Sequence, residues 1–356
     1  MAQKPELRCV IAAGGTAGHV LPALAVAEAL GERGVQVSFA GSRDRVEARL
    51  VPEAGYEFDA FRSAGLPRRV GLALGRAFAT AARAPSACLR ILARRRPDVV
   101  LGGGGYVSGP MVLAAALRRT PVALLEADAH LGLANRLAAP FAQRVFLALP
   151  IAGRDGGKYR VTGRPVPQRS RGVPADEARR TFDLPLDAPV LLVLGGSQGA
   201  VRLNELAIER WGASGPAVLH ICGQRDYPAL HHRVSRPEYR LVDFTDEIGA
   251  AYSAADLALA RAGGSVWELA AAGLPAVLVP YPHATSDHQT KNARHFEVAG
   301  GAVVVTEDDL ERVPALVEEL LDDTGRREQM RDAMFELARP DAADEIAEEL
   351  MAIASA

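Results

Sequence analysis

Cysteine is scarce in this 356-residue chain: Cys9, Cys88 and Cys222 are odd in number and far apart. They give neither a disulfide framework nor a zinc-ligand spacing, which points to a reducing cytosol. Long apolar runs are missing too. The longest uncharged stretch, Val99–Leu117, is cut by Gly102–Gly105, Gly109 and Pro110, so it reads as strand, turn and helix rather than a membrane span. The opening MAQKPELR is charged and leads straight into a strand, so no signal peptide is expected. A net charge of −2 argues against nucleic acid as the main partner. Nucleotide and metal signatures are equally sparse. There is no Asp-x-Asp pair to clamp a diphosphate through a metal, and neither a metal nor another cofactor is expected. No G-x-G-x-x-G occurs, and no acid follows the second strand, which ends Phe39-Ala40-Gly41. GRDGGKYR lacks both the spacing and the Ser/Thr of a phosphate-binding P-loop.

What is present is alternation. With 49% hydrophobic residues the chain has enough material for two full cores. Short apolar runs at Val10–Ala13, Val35–Ala40, Tyr56–Phe61, Val99–Leu101, Val122–Leu125 and Val145–Leu147 read as strands, and helical patterns separate several of them. The spacing predicts a helix over Leu21–Arg33 with Pro22 in its first turn, and another over Arg45–Ala54 capped by Asp44 or Ser42. A second cycle follows Gly163-Arg164-Pro165, with strands at Val190–Leu194, Ala217–Cys222, Tyr239–Val242, Leu257–Ala260, Ala276–Val279 and Ala302–Val305. This is the pattern of parallel α/β sheets.

The two cycles resemble each other at one point: IAAGGTAGHVLPALAVAEAL parallels LLVLGGSQGAVRLNELAIER, each a strand, a glycine turn and a helix. Two tandem Rossmann-like domains facing across a cleft are therefore expected, with ligand loops at matching strand ends. The expected domains are 1–162, 163–340, and a C-terminal helix 341–356 that returns to the first domain, with the linker at Thr162–Pro167.

The most informative stretch is Ala260–Asn292, ARAGGSVWELAAAGLPAVLVPYPHATSDHQTKN. Gly263 and Gly264 make a tight turn, Ser265 stands where an N-cap belongs, and Glu268 falls in the first turn of a helix ending at Gly273. Asp287, His288, Gln289 and Asn292 follow the next strand. A helix start suits phosphate and a carboxylate suits a ribose diol, so the cluster reads as a nucleotide-sugar site. Glu268 alone would be an ordinary first-turn acid, contributing little to the core.

GGTAGH (Gly14–His19), GGGGYVSGP (Gly102–Pro110), VTGRPV (Val161–Val166), GGSQGA (Gly195–Ala200), DFTDEI (Asp243–Ile248) and AAAGLPAVLVPYPHATSDHQTKNA (Ala270–Ala293) together resemble one family, over nearly the full length and in order. It is the UDP-N-acetylglucosamine transferases of peptidoglycan synthesis, GT-B glycosyltransferases that convert lipid I to lipid II. The resemblance implies UDP-GlcNAc as donor and the undecaprenyl diphosphate-linked lipid I as acceptor. It implies a peripheral position on the cytoplasmic side of the cell membrane, with an anionic surface and other cell-wall synthesis proteins as further partners. By the same resemblance Ser197, with Gln198 and Gly199, meets the donor diphosphate beside Gly263, Gly264 and Ser265. The main chain at Thr245 reads uracil, Glu268 holds the ribose hydroxyls, and Gln289 with His288 reads the GlcNAc hydroxyls. Thr16, Ala17, Gly18 and His19 line the acceptor side, and Gly104, Gly105, Tyr106 and Asp128 are further substrate-binding residues.

The chain departs from the family at three places. Leu125-Glu126-Ala127-Asp128 stands where the family has His-Glu-Gln-Asn, with Asp128 in the amide's place. Pro167 replaces an arginine, for which Arg164 or Arg169 would substitute. RAGGSVWE is one residue shorter than usual. The implied chemistry is inversion at the anomeric carbon, which needs a base for the acceptor hydroxyl. His19 is the candidate catalytic residue; the alternative is that it only hydrogen-bonds its loop or a phosphate. A UDP-sugar epimerase, another glycolipid transferase on the same fold, and a non-catalytic UDP-sugar-binding module remain as other readings.

Charge pattern adds a membrane expectation. Arg62 to Arg96 holds nine arginines and no acid, and Arg69, Arg76, Arg83 and Arg90 recur every seven residues among Leu66, Val70, Leu72, Leu74 and Phe78. Pro85 is expected to break or kink this helix. Acids gather instead in Glu307–Glu311 and Asp341–Glu349.

Overall fold

Apolar runs uninterrupted by charge bury both faces of a strand, which only a sheet covered by helices on each side allows. The computed structural model, which describes residues 7–63, 72–170, 172–195, 200–284 and 287–356 and no side chains over 72–83, has two such sheets. The chain divides into two compact units, Met1–Pro167 with Pro340–Ala356, and Gln168–Arg339.

In the first unit the elements run β1 (Arg8–Ala12), α1 (Ala17–Glu32), β2 (Gln36–Ser42), α2 (Glu47–Glu53), β3 (Glu57–Phe61), α3 (Leu72–Arg95), β4 (Val99–Gly102), α4 (Ser108–Leu117), β5 (Val122–Glu126), α5 (Leu133–Ala138), β6 (Arg144–Leu147) and β7 (Tyr159–Val161). The strands are all parallel, in the order β3-β2-β1-β4-β5-β6-β7. The order reverses between β1 and β4, where Ala12 pairs with Gly102. Both strands end there, and an open α/β sheet binds ligands at such a switch point.

Several boundaries differ from the sequence expectation. α1 begins at Ala17, not Leu21, so Pro22 lies inside the helix. Neither Asp44 nor Ser42 caps α2; Val46 is its N-cap residue, and Glu47 turns its carboxylate back toward the sheet. α3 runs through Pro85 unbroken. Arg69, Leu66 and Val70 lie outside the described residues, as do the side chains of Leu72, Leu74, Arg76, Phe78 and Arg83.

The second unit runs α6 (Ala175–Thr181), β8 (Val190–Leu194), α7 (Val201–Trp211), β9 (Ala217–Ile221), α8 (Tyr227–Leu230), β10 (Tyr239–Val242), α9 (Ile248–Ala254), β11 (Leu257–Ala260), α10 (Ser265–Ala271), β12 (Ala276–Leu278), α11 (His288–Val298), β13 (Ala302–Val304), α12 (Val313–Asp322) and α13 (Thr324–Ala338). Its parallel order is β10-β9-β8-β11-β12-β13, with the reversal between β8 and β11. The N-cap of α10 is Gly264, and Ser265 is already helical, which corrects the expected cap.

The last helix, α14 (Ala342–Ala354), packs in the first unit. Ile346, Ala347 and Leu350 are fully buried in a core shared with Val20, Leu24 and Ala27 of α1. Arg33 pairs with Asp344 at 2.8 Å and Arg144 with Glu349 at 2.9 Å. Such partly exposed ion pairs contribute little, so the apolar contact holds α14 in place.

Candidate functional site

Past β1 and β4 the chain makes two glycine turns that touch. Gly104 and Gly105 have φ of +95° and +74°, a region glycine enters without strain. A Cβ on Gly105 would lie 2.1 Å from the Gly14 carbonyl oxygen, and one on Gly104 would lie 2.6 Å from His19 Cδ2. The two loops therefore close on each other, and His19 rests against the second. Tyr106 lies over Gly15, where an added Cβ would be 3.3 Å from its ring.

His19 Nδ1 is 3.2 Å from the Gly14 carbonyl oxygen and 3.3 Å from Thr16 Oγ1. A carbonyl only accepts, so the proton sits on Nδ1 and the lone pair on Nε2. Burial pushes the imidazole below its ordinary range, and the Arg164 charge pushes the same way; Asp128, the Gly14 carbonyl and Glu47 push upward but do not prevail. The ring is thus neutral at pH 7, the state a proton acceptor needs.

Three buried charged residues brace this corner. Glu47, fully buried, accepts from Gly15 N–H at 2.9 Å and Ser42 N–H at 3.0 Å. Gly14 and Gly41 leave the space it fills, since a Cβ on either would come within 2.7 Å of it. Glu126, at the end of β5, accepts from Gly132 N–H at 2.8 Å, Asn135 Nδ2 at 3.0 Å and Asp128 N–H at 3.2 Å. Burial raises its carboxyl pKa against those donors. It shapes the loop that carries Asp128. Arg164 donates to Ala127 O at 2.6 Å and Gly18 O at 2.7 Å. The structure thus gathers Thr16, Ala17, Gly18, His19, Gly104, Gly105, Tyr106 and Asp128 at one end of the first sheet.

In the second unit β11 leads into Gly263 and Gly264, then α10. Glu268 Oε2 accepts from Tyr252 O–H at 2.6 Å, and Tyr252, on α9, is 2% exposed. Burial, together with the Glu268 charge, holds that phenol protonated, its pKa well above the ordinary value. The charge of Arg169 also bears on Tyr252. Gln289 Oε1 accepts from Tyr281 N–H at 2.8 Å, and its Nε2 reaches toward Gly263, 3.9 Å from where a Cβ would stand. His288 opens α11 beside it, after Asp287 in a left-handed conformation. Thr245 lies on the exposed loop before α9, its Oγ1 accepting from Glu247 N–H at 3.0 Å. Ser197, Gln198 and Gly199 lie outside the described residues. Among the described residues, no group of three or more His, Cys, Asp or Glu side chains could hold a metal ion.

Sequence reasoning missed Glu47, Tyr252 and Arg261 as supports. Arg261 is 7% exposed, donates to Val279 O at 3.2 Å, pairs with Glu307, and lies 5.5 Å from the Tyr281 ring centroid. It ties the ends of β11 and β12 to the turn after β13. An arginine directly after a buried strand was the available signal.

Comparison with known proteins agrees in both units. Residues 9–147 match the glycosyltransferase family 28 N-terminal domain, and residues 190–346 the glycosyltransferase family 28 C-terminal domain. The UDP-N-acetylglucosamine–N-acetylmuramyl-(pentapeptide) pyrophosphoryl-undecaprenol N-acetylglucosamine transferase of Salinibacter ruber (strain DSM 13855 / M31) is 41% identical, covering 96% of this chain and 95% of its own. The protein of the same name from Halorhodospira halophila (strain DSM 244 / SL1) is 42% identical, covering 95% and 96%. The crystal structure of Acinetobacter baumannii MurG matches with a TM-score of 0.72 at 28% identity, covering 98% of this chain and all of that one. A UDP-N-acetylglucosamine 2-epimerase matches with a TM-score of 0.65 at 15% identity, over 97% and 96% of the two chains, a likeness of fold alone. The chain belongs to glycosyltransferase family 28, and within it to the UDP-N-acetylglucosamine–N-acetylmuramyl-(pentapeptide) pyrophosphoryl-undecaprenol N-acetylglucosamine transferases.

Proposed function

We propose that this glycosyltransferase moves N-acetylglucosamine from UDP-GlcNAc to the muramyl sugar of lipid I, with inversion, giving lipid II. The observation that carries this is the 41% identity across 96% of the chain to a transferase of that name. A neutral His19 with its lone pair on Nε2 supplies the chemistry. As the acceptor oxygen bonds to the anomeric carbon, His19 Nε2 takes its proton, and the bond to UDP breaks with the electron pair leaving on the diphosphate. A depressed pKa makes a weaker base, and Asp128 offsets this by favouring the imidazolium as it forms.

Thr16, Ala17, Gly18, Gly104, Gly105, Tyr106 and Asp128 hold the acceptor in this reading. Gly15 N–H is already given to Glu47, so an acceptor diphosphate would use other groups of the loop. The donor lies in the second unit: uracil on the main chain at Thr245, ribose on Glu268, and the diphosphate on Ser197, Gln198 and Gly199 with Gly263, Gly264 and Ser265. Gln289 and His288 read the sugar hydroxyls. Arg164 is committed to backbone carbonyls, so Arg169 rather than Arg164 supplies the cation lost at Pro167. The test is incubation with UDP-GlcNAc, with and without a lipid I analogue. UDP release only with the acceptor supports transfer. An isomerised sugar nucleotide without acceptor would indicate an epimerase, and binding without turnover a binding module.

An acceptor on a polyprenyl diphosphate also requires work at the anionic cytoplasmic leaflet. Among the described residues no helix is long and apolar enough to cross a membrane. Support for peripheral contact comes from α4, α5 and the turn after α5, where Leu113, Leu117, Leu133, Leu137 and Phe141 are 40–66% exposed beside the exposed Arg118, Arg119 and Arg136. Each arginine at such a surface is worth about 1 kcal/mol, and the apolar side chains add insertion.

A further inference from the structure

Proline inside a helix leaves a carbonyl without its usual donor. Pro22 lies within α1, and the carbonyl it cannot serve is that of Gly18, one turn back. The donor found there is Arg164 Nη2, at 2.7 Å, from a segment 146 residues away in sequence. The other arm of the same guanidinium, Nη1, donates to Ala127 O at 2.6 Å. The side chain is 4% exposed, and a cation so buried is retained only where its hydrogen bonds are made. One planar fork thus joins two loops: the helix start carrying Thr16–His19 and the β5 exit carrying Asp128.

We propose that Arg164 is a positioning residue for the transfer reaction: it closes the helix turn that Pro22 opens, ties it to the β5 exit, and so fixes the direction of His19 Nε2. The proposal rests on the reading of His19 as the base. The charged groups facing His19 are Asp128 from the β5 exit, Glu47 from α2 and Arg164 itself. The first two favour the imidazolium, and Arg164 disfavours it.

Three variants separate the fork from the charge. Arg164→Lys keeps the charge and loses the fork, Arg164→Gln loses both, and Pro22→Ala restores an N–H to the Gly18 carbonyl. The readouts are kcat with UDP-GlcNAc and a lipid I analogue over pH, donor affinity by calorimetry, and a thermal melt as a control for folding. Both Arg164 variants should lower kcat by about 10²-fold, as expected for a displacement of about 1 Å at the reacting group. Donor affinity should stay unchanged. Pro22→Ala alone should stay near wild type, and added to Arg164→Gln it should recover roughly tenfold, because the two sites share one carbonyl. The acid limb of kcat should move to higher pH in Arg164→Gln and stay put in Arg164→Lys. Wild-type kcat in a folded Arg164→Gln, or a double variant no faster than Arg164→Gln, would overturn the proposal. Rescue by Pro22→Ala with an acid limb that survives His19→Ala would uphold the strut while removing His19 as the base.

Discussion

Removing the Glu268 carboxylate tests the donor site and the fold around it at once. Sequence alone suggests that a first-turn acid can be lost without cost to the core. The structure says otherwise, because Glu268 Oε2 is the acceptor for Tyr252 O–H at 2.6 Å and Tyr252 is 2% exposed. Glu268→Ala leaves that hydroxyl buried without this acceptor, a penalty of about 1–3 kcal/mol. For a unit of this size the melting transition should fall by about 2–4 °C for each kcal/mol. Under the proposed donor site, binding should weaken by a further, separate ~1–3 kcal/mol, because the ribose hydroxyls would lose a charged acceptor. Tyr252→Phe distinguishes the two effects. It deletes the orphaned hydroxyl, so Glu268→Ala/Tyr252→Phe should regain most of the lost stability and none of the lost affinity. Calorimetric titration with UDP-GlcNAc and a thermal melt on all four proteins complete the cycle. Unchanged affinity in folded Glu268→Ala would remove Glu268 from the donor site. An unchanged melt would refute the value placed on its bond to Tyr252.

The proposed role of His19 sets the pH profile: its pKa is lowered and the proposal makes its neutral form the active one, so kcat should persist below pH 6.5 before falling. Asp128→Asn removes a charge that favours the imidazolium, so the acid limb should move to still lower pH, as a pH–rate series would show. Glu47→Ala should cost about 1–3 kcal/mol by leaving Gly15 and Ser42 N–H groups without their acceptor, and it should lower kcat more than donor affinity; a wild-type melt and rate would contradict this. Leu350→Ala, at a fully buried site of the core shared by α1 and α14, should cost about 2–5 kcal/mol in a denaturant titration. Leu117→Ser/Leu137→Ser should reduce salt-sensitive sedimentation with anionic vesicles while leaving UDP-GlcNAc binding intact, as should Arg69→Glu/Arg76→Glu/Leu72→Ser. Sedimentation equal to wild type would contradict the proposed membrane contact at these surfaces.

The sheets were legible because a strand buried on both faces leaves an apolar run, as Val190–Leu194 and Leu257–Ala260 show. Glycine turns were legible because a chain that reverses tightly after a strand needs residues without a side chain. Helix starts were less so. Pro22 suggested a beginning at Leu21, yet Gly18's carbonyl found Arg164, and α1 reaches back to Ala17. β7, three residues long, is too short for any period to show. The supports of the site were least legible. Glu47 meets Gly15, and Arg164 meets Gly18, across 32 and 146 residues. Periodicity records which face of an element is buried; it carries no trace of a single polar partner met through the fold. Motif resemblance pointed to His19, Glu268 and Gln289 as candidates, but not to Tyr252 or Arg261, which bond to their surroundings across the fold.

Proton NMR of the purified chain with UDP-GlcNAc and a lipid I analogue tests the transfer most directly, because it follows the anomeric centre itself. UDP-GlcNAc carries an α linkage, so attack by the acceptor with inversion must give a β-linked GlcNAc on the muramyl sugar, with one UDP released for each linkage formed. That β product, formed only when both substrates are present and lost in His19→Ala, is the expected result. An α-linked product, or consumption of UDP-GlcNAc without transfer to the acceptor, would contradict it.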